Sequence, residues 1–278
     1  MTPDFSARKA LWSVVKYELI WDIRKWKFYI LLAIVTAGSL LAAIFLGKFL
    51  PVPSKSMFWY SSLSYMSEWF FFLLLGAALA MNTISGEFET GTIVPLLSRP
   101  ISRSEIYFGK VIAIVLMTIF EMAVLAVILT VTSYVMMGPQ SDLYRLALFV
   151  LTLSASVMVY AFLTMALSAL TKNSVASILG IFGIALVLEI GLGIYELAHG
   201  LQAWFLWIPL VGTGTLTPNV EAALSSPNSP FYLLGITHTP TSLTNLQGAM
   251  ISLAGTIIYI AAFIVIGWLS FKKSDVKE

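Results

Sequence analysis

The chain has no cysteine among its 278 residues, which excludes disulfides, thiolate metal sites and a cysteine nucleophile. Its two histidines, His199 and His238, leave little for a metal cluster or a Ser/His protease site within a membrane. No G-x-x-x-x-G-K-[ST], H-E-x-x-H or G-x-S-x-G pattern occurs, so neither a nucleotide-phosphate cradle nor a familiar hydrolase constellation can be built. No N-x-[ST] sequon is present. Charge is the scarcest commodity: 11% of residues, against about 25% in soluble domains. A net charge of +2 gives no reason to expect nucleic acid as a partner. With 59% hydrophobic residues, an ordinary soluble domain is excluded.

What is present are long apolar runs. A spanning helix needs roughly 20 apolar residues to cross about 30 Å of hydrocarbon. Six stretches qualify: residues 28–49, 68–83, 106–137, 145–170, 175–197 and 249–271. The third is long enough to tilt or to project beyond the bilayer. The expected fold is therefore an all-α integral membrane protein of one domain with six transmembrane helices. The first 24 residues carry charges throughout, so they do not read as a signal peptide.

Lysine and arginine set the expected orientation. If both termini share a side, that side holds Arg8, Lys9, Lys16, Arg24, Lys25, Lys27, Arg99, Arg103, Lys110, Lys172, Lys272, Lys273 and Lys277, and the other holds Lys48, Lys55 and Arg145. The bias places both termini in the cytoplasm, as an even number of spans requires. Residues 6–27 are too charged to cross. Trp12, Val15, Leu19, Ile23 and Trp26 recur at three- and four-residue steps, with Lys9, Ser13, Lys16, Arg24 and Lys27 largely opposite. This pattern predicts an amphipathic helix at the cytoplasmic interface, with tryptophans at headgroup depth. The external connection, residues 199–248, is too long to be a simple loop. Its apolar pieces, 201–211 and 231–236, predict two short elements dipping into the outer leaflet.

The cytoplasmic connection, residues 85–105, is unusually punctuated. Gly86 and Gly91 break it, and Pro95 sits where the first turn of a short helix tolerates proline. Ile93, Leu96 and Leu97 would give that helix one apolar edge. Pro100 ends it, and Ser102-x-x-Glu105 is a capping box that opens the third span. The reading is a short helix of mixed polarity held by turns just under the membrane.

The run Glu87-x-Glu89-x-Gly91-Thr92-Ile93-x-x-Leu96-Leu97-Ser98-x-Pro100-Ile101-Ser102-Arg103, followed by Gly109-Lys110, resembles the signature of type-2 ABC-transporter permeases of the exporter class. Closest in flavour are the stand-alone permeases of two-gene exporters, of the bacitracin and nitrous-oxide-reductase-maturation kinds. The resemblance implies that residues 85–105 form a coupling helix seated in a cleft of a separate cytoplasmic ATPase. It also implies re-entrant elements before the last span. Carried over by residue, Glu87 and Glu89 would face or brace the ATPase contact. Gly91 and Thr92 would set the turn, Ile93, Leu96 and Leu97 would supply apolar contact, and Pro100 would close the helix. Arg103 and Lys110 would lie at the cytoplasmic rim, near the ATPase or the headgroups. The implied assembly is a homo- or heterodimer of permease chains bound to two ATPase copies. Cofactors are expected to be absent from this chain, ATP and Mg belonging to the ATPase.

Two carboxylates lie deep within expected spans, Glu121 in the third and Glu189 in the fifth, while Glu196, nearer the outer end of the fifth, is expected to be solvated. Charge in hydrocarbon is costly and raises a functional hypothesis by default. They are candidates for a substrate path or a proton route, or are structural groups bonded to Ser154, Ser156 or Thr164 on a neighbouring helix. A proton-coupled secondary transporter using either residue is the main rival reading. A permease-like sensor or assembly factor is another, and a membrane-embedded enzyme is disfavoured by the missing constellations.

Overall fold

Apolar runs without internal proline become long helices, and the breaks fall where the sequence supplies caps. The computed structural model describes residues 7–49, 55–60, 62, 71–93, 95, 101–199, 203–208, 213–233 and 239–274. Helix α1 covers Ala7–Arg24 and α2 covers Trp26–Phe49; a bend of 67° separates them at Lys25. Then come α3 (Phe71–Ala80), the five-residue α4 (Ser85–Glu89), α5 (Arg103–Met137), α6 (Leu146–Thr171) and α7 (Ser174–His199). A short α8 (Leu216–Ser225), a hairpin of β1 (Pro230–Leu233) and β2 (Thr239–Thr244), and α9 (Asn245–Lys273) complete the order.

Among the described residues, four helices are long and apolar enough to cross a membrane: α5, α6 with its leading 3-10 turn, α7 and α9. The bent α1–α2 pair makes a fifth if taken as one broken span. Only α3 represents the expected second span, part of which lies outside the described residues. At about 1.5 Å per residue, the 35-residue α5 is about 52 Å long and exceeds the hydrocarbon thickness by about 20 Å.

Local chemistry explains the helix starts. Ser102 Oγ accepts from the Glu105 N–H (3.2 Å), and a Glu105 carboxylate oxygen accepts from the Ser102 N–H (2.7 Å), so the capping box opens α5 as expected. A second box, Thr244 with Gln247, opens α9.

The core is apolar and layered. Leu31 and Val35 of α2, Leu75 of α3, Met122 and Leu125 of α5, Leu153 and Val157 of α6 and Ile181 of α7 form the larger cluster. A second cluster, with Ile84, Ile106, Tyr107, Phe162, Met165 and Phe271, underlies the coupling segment. Between α2 and α5, Trp59 seals the opposite end, its indole N–H donating to the Ser141 carbonyl at 2.8 Å.

Two expectations require correction. The membrane-facing stripe expected on α1 is rotated: Val15 is fully buried, with Ala10, Val14 and Glu18, on the face that packs against α5. The exposed face instead shows Trp12, Tyr17, Ile20, Trp21, Ile23 and Trp26. Helical periodicity found one apolar stripe, of which Trp12, Ile23 and Trp26 are exposed while Val15 turns toward α5. The external segment is not wholly α-helical, since β1 and β2 pair antiparallel with Pro230 opposite Thr244 and Leu233 opposite Thr239. Proline at position 240 of β2 is tolerated because a two-stranded ribbon consists of edges only.

Candidate functional site

Helix α4 is the most heavily wired short element in the chain. The Ser85 N–H donates to Ser168 Oγ on α6 at 2.8 Å, and Ser85 Oγ lies 2.9 Å from Ser174 Oγ at the start of α7. One turn on, the Glu87 carboxylate accepts from Lys110 Nζ at 2.6 Å. The same ammonium donates to Glu18 of α1, also at 2.6 Å. Glu89 reaches the other way: its two carboxylate oxygens accept from the Ser174 N–H (2.6 Å) and Ser174 Oγ (2.8 Å). A free N–H at the head of α7 is thereby satisfied by a negative charge, which the helix dipole also favours. Five residues thus tie α1, α5, α6 and α7 together.

The electrostatics of the two glutamates are opposite. Lys110 is buried, its side chain 2% exposed, and it faces two carboxylates with one positive charge. Burial pushes the Glu87 carboxyl above its ordinary range, against the pull of Lys110. Its second oxygen is buried and has no hydrogen-bond partner. The two bonds from Ser174 hold the Glu89 carboxyl below the usual carboxylate range.

A group with a depressed folded pKa stabilises the fold above its unfolded value, about 4.3 for glutamate, and loses that contribution as pH falls through the folded value. Wild type is therefore expected to melt above the Glu89→Gln variant at neutral pH. The gap should close on acidification below about pH 4. Parallel melting curves in detergent check this, and a gap that stays constant down to the acid limit contradicts the cap.

Beyond Glu89 the chain turns sharply. Thr90 Oγ1 donates to the Gly86 carbonyl at 2.7 Å, and Gly91 adopts a φ of 71°, the left-handed conformation that glycine enters without strain. Thr90, Gly91, Thr92 and Pro95 are exposed. Lys172 Nζ sits 5.0 Å from the ring centre of Phe88 beside them. Leu96, Leu97 and Pro100 lie outside the described residues.

Three placements differ from the expectation. Ile93 is 3% exposed and joins the inner apolar cluster, so its contact is with the chain itself. Lys110 is not at the rim but buried between Glu18 and Glu87. One Arg103 guanidinium nitrogen donates to the Lys272 and Ser274 carbonyls, each at 3.0 Å, closing the C-terminal end of α9.

Glu18, Ser85, Ser168 and Ser174 are members of the site that sequence reasoning missed. One signal was present: Glu18 continues the spacing Ala10–Val14–Glu18 on a stripe of small residues, where a carboxylate demands a buried partner.

Glu121 is fully buried, and neither of its carboxylate oxygens has a hydrogen-bond partner. Its expected partners are engaged elsewhere: Ser154 donates to the Val150 carbonyl, Ser156 to Thr213 and Thr164 to Tyr160. Glu189 lies within α7, with its side chain outside the described part. The N-terminal end of α6 meets a largely buried polar belt shared with α8 and α9. There Thr217 meets Thr152 (3.1 Å), Asn219 meets Ser252 (2.7 Å), and Arg145 pairs with Glu221 (3.1 Å).

A family model described as ABC-2 family transporter protein matches residues 12–276, nearly the whole chain. No curated protein matches the sequence.

Proposed function

The chain belongs to the ABC-2 transporter family as a multi-pass membrane permease component rather than a catalytic subunit, and from that premise we propose that it couples a separate ATPase to export. The observation that carries the proposal is the wiring of α4. A cytoplasmic ATPase pair pressing on residues 90–98 would move α4 as a unit. Glu87 and Glu89 would then pull on α5 through Lys110 and on α7 through Ser174. A shift of this kind requires only that the open and closed ATPase pairs bind the permease with different free energies.

In the full proposal the chain crosses the membrane six times, α2 and α3 counting as the first two spans, with both termini cytoplasmic. Two such chains, identical or related, bind two ATPase copies, which hold ATP and Mg. The outer polar belt around α8 would then form the release end. A proton-coupled secondary transporter or a permease-like sensor would have no use for a five-residue helix bonded to three others and linked to a fourth through Lys110.

The test is co-purification with a co-expressed P-loop ABC ATPase from the same organism, comparing wild type, Leu96→Asp and Glu87→Ala. Leu96→Asp is expected to lose ATPase binding. Glu87→Ala is expected to keep binding and lose stimulated hydrolysis. Full binding and full stimulation in both variants would falsify the coupling assignment.

A further inference from the structure

Past its first two turns, α5 carries a single charge: residues 111–137 contain Glu121 and no other Asp, Glu, Lys or Arg. Glu121 stands near the middle of the 35-residue helix, roughly 27 Å from Arg103 and 24 Å from Met137 at helical rise. It is 0% exposed, and both carboxylate oxygens lack a hydrogen-bond partner. Thr118, one turn before it, spends its hydroxyl on the Ile114 carbonyl at 2.8 Å.

Among the described residues no counter-charge reaches it: α1 carries Arg8, Lys9, Lys16, Tyr17, Glu18, Asp22 and Arg24, and none of those whose side chains are described donates to Glu121. The charged group within its electrostatic reach is Asp22 of α1, a like charge already paired with Lys25 at 3.0 Å. On α2 the ionisable residues are Lys27, Tyr29 and Lys48; α3 has none, and α6 has Tyr160 alone. On α9 they are Tyr259, Lys272 and Lys273, the lysines at its C-terminal end. Among those whose side chains are described, none donates to Glu121.

A bare carboxylate enclosed this way costs several kcal/mol. Neither hydrogen bonds nor an ion pair offset that cost here, so neutralisation must come from something the site takes up. We propose that Glu121 is an exchangeable site for one positive charge, a proton or a small monovalent cation, loaded and released as the transport cycle opens the helices around it. The proposal rests on the transport reading above and gives that reading a substrate or coupling class: a singly charged cation.

The experiment is carbodiimide labelling of the full-length chain in detergent, with dicyclohexylcarbodiimide as the probe. A protonated carboxyl in an apolar setting adds across the carbodiimide. Its proton goes to one nitrogen and its oxygen to the central carbon, and the adduct rearranges to a stable N-acylurea with no leaving group. In sodium- and potassium-free buffer near neutral pH, mass spectrometry of the peptides should place the adduct on Glu121. Labelling there should be at least an order of magnitude faster than on Glu105 at the start of α5, and absent from Glu121→Gln.

Added sodium, potassium or ammonium chloride then separates the two sources. Protection by one of them identifies a cation site, and undiminished labelling identifies a proton site. Labelling of Glu121 no faster than that of Glu105 overturns the proposal. Because this chain alone is labelled, that outcome leaves the ATPase partnership standing. Failed co-purification would remove the partnership without touching the site.

Discussion

Replacing Lys110 with methionine is expected to destabilise the chain by about 3–5 kcal/mol, the cost of leaving buried carboxylates without their cation. The charge count makes the effect specific. Lys110, Glu18 and Glu87 sum to −1, and the lysine side chain is 2% exposed while the two carboxylates are 11% and 17% exposed. Removing the lysine takes the buried sum to −2. Removing one carboxylate takes it to zero and leaves a one-to-one pair. Glu87→Gln should therefore change stability by less than about 1 kcal/mol, because a neutral acceptor still meets the ammonium. For a chain of this size the Lys110→Met loss corresponds to roughly 10 °C in melting temperature.

Adding Glu18→Gln and Glu87→Gln to Lys110→Met removes every charge in the cluster and should recover most of the loss. If Lys110→Met melts no lower than Glu87→Gln, the three groups are solvated and the cluster does not exist as described. The functional consequence follows the same wiring. With the triple variant stable but uncharged, α4 retains its ties to α6 and α7 and loses those to α1 and α5. Stimulated hydrolysis by the bound ATPase should then fall while binding persists.

This cluster also shows where sequence reading stops. The capping box at Ser102 and Glu105 was legible because its members are three residues apart and their chemistry is self-contained. The turn at Gly91 was legible for the same reason. The family resemblance placed Lys110 at the rim. Its burial depends on Glu18, 92 residues earlier, and on Glu87, 23 residues earlier. Such pairings are set by tertiary packing and leave no local periodicity. The same limit applies to α1: Trp12, Ile23 and Trp26 of its expected stripe are exposed, and only contact with α5 decides that Val15 is buried. In the external segment, length and apolar content called for ordered structure, while the β-hairpin depends on a non-local register that composition does not encode.

Gly76→Leu is expected to be the other severe substitution, at about 3 kcal/mol. A Cβ at position 76 would come within 2.8 Å of Tyr160 Cβ and of the Val157 carbonyl oxygen, and within 2.9 Å of the Ala161 nitrogen. Two of those atoms are backbone, so no rotamer change relieves the contact, and α3 and α6 must separate. Intrinsic helix propensity works the other way, favouring leucine over glycine by up to about 1 kcal/mol. The packing term therefore wins. At Gly183 of α7 nothing lies within 4 Å of the added Cβ, so Gly183→Leu carries the propensity gain without the clash and should melt at or above wild type.

Separation of α3 from α6 has a local signature, because only residues 81–84 join α3 to α4 and the Ser85 N–H reaches Ser168 Oγ across that gap. The absence of native cysteine makes the signature readable. A Ser85→Cys, Ser168→Cys pair should crosslink efficiently with a short bifunctional reagent, and Gly76→Leu should suppress it. Unchanged melting and unchanged crosslinking would show that α3 and α6 are not in backbone contact at Gly76.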